Sequence, residues 1–178
     1  MQSKNASNSD NQQERLKTIG WIIGFVDGEG CFSVSIFKNR RAGKLGWQVF
    51  PEFVVSQEKK SLESLQGIQK FFGCGRIYVN RLTRKNENHN EELYRYCIRS
   101  VKDLNERIIP FFRANSLRTA KQNDFLKFVQ IVELITQKKH LSLQGLRRVA
   151  KIIEKMNRKT PSKFLESSET IRQTGAHN

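Results

Sequence analysis

Cysteine is scarce in this chain: Cys31, Cys74 and Cys97 are an odd number with no C-x-x-C pair among them. That count argues against a disulfide scaffold or a zinc knuckle, and reduced, partly buried thiols are the expectation. Histidine is as thin, with His89, His140 and His177 standing apart, without the spacing of a zinc site or of a histidine-based nuclease. Long apolar runs are missing too. The longest, Trp21 to Val26, is far short of a membrane span, and the opening MQSKNASNSDNQQE lacks the hydrophobic stretch of a signal peptide. A soluble chain kept where thiols stay reduced, with no membrane partner, is the expectation. Acid is also in short supply: 17 Asp and Glu face 32 Lys and Arg, a net charge of +15. Such a balance repels cationic partners and attracts a polyanion such as nucleic acid.

The 178 residues suit one domain, and an apolar content of 37% that includes twelve Phe is enough to fill a core. The polar stretches 1–14 and 167–178 read as disordered or flexible tails around a folded part, 15–166. Leu16, Ile19, Ile22, Ile23 and Val26 follow helical spacing and stop at the turn Asp27-Gly28-Glu29-Gly30. Period-two alternation follows over 31–38 and 47–56, with a Gly- and Lys-rich loop between. Pro51 is awkward inside the second of these strands and suggests a bulge or an edge. Leu62, Leu65, Ile68 and Phe72 form a helix closed by Gly73 as C-cap. Strands over 76–82 and 93–99 come next, joined by a polar hairpin loop over 83–92. Ser100-x-x-Asp103 reads as a capping box for a helix over 101–112. Helices over 118–137 and 142–156 follow, and a last short one begins after Pro161.

This order, αββαββα and then further helices, describes an α+β chain whose four-stranded antiparallel sheet carries helices on one face. The uncovered face would hold Ser33, Ser35, Gln48, Glu52, Arg76, Tyr78, Asn80, Arg95 and Arg99. Side chains of these types pair with base edges and phosphates in a DNA groove, whereas a merely solvated face is the plainer reading; the net charge favours nucleic acid. Gly20 and Gly24, four apart on one helix face, each weaken the helix relative to Ala by roughly 1 kcal/mol. Close approach of another backbone would account for them, as would two incidental glycines. Asp27 and Glu29 lie at the carboxyl end of this helix, where the dipole disfavours anions, an arrangement that suits a bound divalent cation.

The segment IIGFVDGEG, followed at once by the strand CFSVSIFK, resembles the signature helix and turn of the LAGLIDADG homing endonucleases. The resemblance continues through WQVFPEFVVSQ, FFGCGRIYV, PFF with AKQNDFLKF, and HLSLQGLRRVAKIIEKMN, covering roughly residues 15–164. It implies a saddle-shaped sheet and a site-specific, metal-dependent double-strand break in DNA by phosphodiester hydrolysis. It implies further that Glu29 binds a divalent metal, Mg²⁺ or Mn²⁺ or Ca²⁺ in its place, with help from the Gly28 carbonyl. Gln57 would orient a metal-bound water, and Lys121, with Arg118 as the alternative, would be the basic residue near the cleaved phosphate. Asp27 would end the helix. The DNA contacts implied are those of the polar face together with Phe37, Lys38, Arg40, Arg41, Phe50 and Cys97. The signature occurs once, which implies a homodimer joined through Gly20, Ile23, Gly24 and Asp27, and hence a long, roughly palindromic duplex target. An RNA-binding intron-splicing maturase on the same fold, with intron RNA as partner, is the alternative. Family members are often encoded in introns, so an organelle (chloroplast or mitochondrion) or a microbial cytoplasm is the implied compartment.

Overall fold

The computed structural model describes residues 3–42, 44–81 and 92–156, with the side chains of 3–9, 80 and 81 excepted. Of the loop expected over 83–92 only Glu92 is described, as the first residue of a strand; the rest of it, the helix after Pro161 and the tail 167–178 lie outside the described residues. Helix α1 (Ser3–Glu29) leads directly into β1 (Gly30–Lys38), which pairs with β2 (Trp47–Glu58). After α2 (Leu62–Phe72) come β3 (Arg76–Arg81) and β4 (Glu92–Ile98). Helix α1 begins well before Leu16, and its residues 10–17 lie exposed, so helical backbone extends into the stretch expected to be a disordered tail. No helix among the described residues is long and apolar enough to cross a membrane.

The sheet order is β1-β2-β4-β3 and every neighbouring pair is antiparallel. Alternation sends Phe32, Val34, Val49, Phe53, Val55, Tyr96 and Ile98 to one face, where all are buried. Phe32 is central there, with ring centroids 5.1 to 5.5 Å from Phe53, Phe112, Phe125 and Phe128. Aromatic pairs at such distances contribute roughly 0.5–1.5 kcal/mol each beyond the area they bury. Pro51 lies within an unbroken β1–β2 register, so there is no bulge there. Strand β4, however, pairs with β2 only from Phe53 onward, so at Pro51 β2 has one neighbour and is locally an edge.

Gly73 closes α2 in the left-handed conformation (φ 61°), its N–H donating to the Gln69 carbonyl at 2.8 Å. The helix expected over 101–112 is three pieces in one rod: α3 (Val101–Asp103), a π turn over Leu104–Ile108, and α4 (Ile109–Ala114). Ser100 caps its start, Oγ accepting from Asp103 N–H at 3.2 Å. Pro110 has no N–H to donate and its ring needs room beside the carbonyl four residues back, which the widened π turn before it supplies. Helix α5 (Lys121–Thr136) starts later than residue 118, and α6 (Leu143–Glu154) follows. Both pack over the covered side, α5 lying against β1, β2 and α6.

Candidate functional site

The acidic turn is built by two helix ends that satisfy one another. A helix leaves its last carbonyls and its first N–H groups without intrahelical partners. At the carboxyl end of α1 the orphan carbonyls are those of the signature segment. Lys121, the first residue of α5, donates from Nζ to the carbonyl oxygens of Val26 (2.8 Å), Asp27 (2.9 Å) and Gly28 (3.2 Å). In return the approach to α5 is capped from α1. Ala120 at its N-cap position offers no side-chain acceptor, and the Asp27 carboxylate takes that part. It accepts from Arg118 N–H (2.6 Å), Thr119 N–H (3.2 Å) and Thr119 Oγ1 (2.8 Å). Each charge thereby sits at the helix end whose dipole favours it.

The exchange is visible in the protonation equilibria. Desolvation pulls the Asp27 carboxyl up, but the Arg118 and Thr119 donors and the Lys121 charge together outweigh it and hold it below its ordinary value. Burial pulls the Lys121 ammonium down from its ordinary value, against the raising influence of Asp27, Cys31, Glu29 and Asp124. Gly30 closes the junction, because a Cβ there would lie 2.6 Å from Val26 Cγ1 and 2.8 Å from its carbonyl oxygen.

Glu29 is exposed, and its carboxylate makes no hydrogen bond or ion pair among the described residues. Strand β2 runs on past its last β1 partner, Val55 opposite Gly30, and carries Gln57 opposite Tyr94 of β4. Gln57 is thus placed at the end of the sheet from which α1 emerges. Lys121 is committed to the α1 carbonyls, whereas the Arg118 side chain is exposed and, among the described residues, only its backbone N–H is engaged. Asp27 was expected at a dimer interface, and its carboxylate is occupied within the chain. Gly20 and Gly24 lie exposed on α1 with no atom within 4 Å of where a Cβ would stand, and Ile23 beside them is half-buried. No neighbour among the described residues accounts for the two glycines.

The outward sheet face carries Ser33 and Ser35 half-buried, with Phe37, Lys38, Arg40 and Arg41 exposed near the β1–β2 turn. Gln48 accepts from Asn39 Nδ2 at 2.6 Å, Lys38 lies over Trp47, and Phe37 meets Phe50 edge-on. Arg76 is exposed, Asn80 has no described side chain, and Tyr78 stacks with Arg99. Glu52 and Cys97, both expected to meet DNA, are covered instead. Glu52 is the acceptor for Arg95 and Arg99, and Cys97 is buried. Burial pushes the Cys97 thiol up, and the Glu52 hydrogen bond holds the Arg99 guanidinium charged more firmly. The partners Thr119 and Asn39 carry no sequence signal of their own. A small polar residue before a helix that lacks an N-cap of its own was the only available hint for Thr119.

Residues 22–132, the span from the signature helix into α5, match the sequence model of the LAGLIDADG endonuclease family. "Probable intron-encoded endonuclease 3" of Neurospora crassa is 34% identical over 144 residues, 80% of this chain and 25% of its own length. The chain therefore spans about a quarter of that curated relative. Among solved structures, the homing endonuclease I-TnaI superposes with a TM-score of 0.73 at 35% identity, over 86% of this chain and 97% of its own. I-SmaMI bound to uncleaveable DNA gives a TM-score of 0.70 at 34% identity, over 83% of this chain and 46% of its own; it has also been solved on an uncleaved DNA target in the presence of calcium ions. The covered apolar face, the glycine-bearing helix running into an acidic turn and the matching span agree, and the chain belongs to the LAGLIDADG endonuclease family.

Proposed function

We propose that the chain is a site-specific homing endonuclease that cuts both strands of a long, roughly palindromic duplex as a homodimer, by metal-dependent phosphodiester hydrolysis. The observation that carries this reading is the turn at the end of α1. Glu29, whose carboxylate makes no hydrogen bond or ion pair among the described residues, lies near enough to Lys121 to influence its ammonium, at the end of a sheet whose outward face carries arginines. I-SmaMI, a structural relative solved bound to DNA, supports DNA as the partner.

The donors suit a hard divalent cation. Among the described residues no group of three or more His, Cys, Asp or Glu forms an all-protein cage. Mg²⁺ needs no such cage, being held by one or two carboxylates with water and phosphate oxygens completing its octahedron. Glu29 and the Gly28 carbonyl are the oxygens that would hold it. The ion, when bound, would offset charge on the scissile phosphate and lower the pKa of an attacking water. Glu29 fixes where that charge is offset. Gln57, whose side-chain amide has no partner among the described residues, is placed to orient a water. Lys121 holds the last carbonyls of α1 and so fixes the direction of the Gly28 carbonyl, while Arg118, whose side chain has no partner among the described residues, would be free to approach phosphate.

One turn serves one strand, so a double-strand break takes two copies related by a two-fold axis. The open face of α1 at Gly20, Ile23 and Gly24 fits that pairing, since glycine lets two helix backbones come close. I-TnaI, matched over nearly its whole length, is a relative of the same size. Intron encoding is proposed on the printed name of the Neurospora relative. Incubation with a duplex target library and Mg²⁺ tests the function, with double-strand ends expected from the parent chain. No ends with Mg²⁺, or equal cutting by Glu29→Gln, would contradict it.

A further inference from the structure

The outward face of β2 buries a carboxylate in a surface meant for a polyanion. Glu52 is 9% exposed and is paired with Arg95 of β4 and with Arg99 just after it. A free carboxylate on such a face would repel phosphate, and its direct use in base reading is to accept from cytosine N4. Both of its oxygens are already engaged: Arg99 Nε donates to Oε1, and Arg95 Nη2 donates to Oε2 at 3.4 Å. Arg95 and Arg99 flank Cys97 in sequence with the same parity, and Cys97 is buried.

Arg99 is held in a second way. Its guanidinium carbon lies 4.9 Å from the Tyr78 ring centroid and 5.6 Å from that of Phe50. Phe50 is braced in turn by Phe37, at 6.1 Å between centroids. A surface arginine ordinarily loses much rotamer freedom when it engages a base. Here that freedom is already removed before any ligand arrives. The Nη1 and Nη2 groups of Arg99 donate to no acceptor among the described residues, which leaves a planar two-donor fork at the end of a fixed side chain. Guanine presents the matching acceptors, O6 and N7, side by side in the major groove.

We propose that Glu52 is a positioning residue for base recognition: reading no base itself, it holds Arg99, together with Tyr78 and Phe50, as a preformed fork that selects a guanine in each half of the target. This rests on the DNA-cutting function proposed above and adds one base and the means of its selection. The test is enrichment of bound duplexes from a randomised library, read by sequencing, with the full chain and with Glu52→Gln, Arg99→Ala and Tyr78→Leu. The parent is expected to enrich a consensus containing a guanine whose preference disappears with Arg99→Ala. Glu52→Gln and Tyr78→Leu are expected to weaken preference at that same position by roughly tenfold, with the other positions as in the parent. A role in sheet stability alone would flatten all positions together, and that pattern overturns the proposal. So does a guanine preference that survives Glu52→Gln, or a consensus with no guanine that depends on Arg99. Should Glu52→Gln fail to fold, Tyr78→Leu at a 40% exposed ring decides among the same outcomes. A parent chain that enriches no sequence at all refutes the DNA-reading function itself, and this inference with it, so the two failures are told apart.

Discussion

Glu29, Asp27 and Lys121 lie within a few residues or one contact of each other, yet their environments separate their roles. Glu29 makes no hydrogen bond or ion pair among the described residues, which agrees with the metal-binding role proposed for it. Glu29→Gln is therefore expected to abolish Mg²⁺-dependent cleavage while DNA binding in a gel-shift or anisotropy assay persists; loss of binding with retained cutting would refute the assignment. Asp27 is satisfied within the chain and behaves as a structural acid. Because its folded-state pKa lies below the ordinary value, its stabilising contribution is complete at neutral pH and is lost as pH falls through that lowered value. Asp27→Ala should lower stability by about 1 kcal/mol near neutrality, the usual worth of a helix cap. Its deficit in Tm relative to the parent should shrink once the pH drops below about 4. A deficit independent of pH would mean that the carboxylate charge plays no part in the docking.

At the level of elements, α1 has two jobs: its last turn carries the acid and its open side carries Gly20 and Gly24. Gly24→Leu should place a branched side chain where two backbones would meet, halving the mass measured by sedimentation or light scattering. Unchanged mass and activity would remove the argument from helix contact. The strands, their inward and outward faces, the Gly73 cap and the Ser100 cap were all legible in the residue order, because period-two alternation and capping chemistry are local. The π turn before Pro110 was not, since proline marks a difficulty without saying how the helix resolves it. The exchange between α1 and α5 was invisible for another reason. Asp27 and Thr119 are far apart in sequence, and only tertiary packing tells which acid is satisfied and which is left free. The same holds for Glu52: its outward parity was clear from alternation, but its ion pairs depend on Arg95 of β4 and Arg99 just beyond it.

For the whole molecule, an excess of basic charge and one polar sheet face predict binding that is largely electrostatic. Affinity for duplex DNA should fall linearly on a log–log plot against salt, with a slope near −0.9 per phosphate neutralised. Arg41→Ala, at an exposed side chain near the β1–β2 turn, should reduce that slope by about one and weaken all sequences alike. Affinity indifferent to salt would mean that the charge serves another purpose. The central claim is that paired copies of the α1 turn set two Glu29 carboxylates over opposite strands. It is tested most directly by sequencing both ends of every fragment released from a randomised duplex library by the full chain with Mg²⁺. The account predicts paired cuts on the two strands, centred on a roughly palindromic sequence and absent when Glu29→Gln replaces the parent. Cuts confined to one strand, or persisting in that variant, would contradict it.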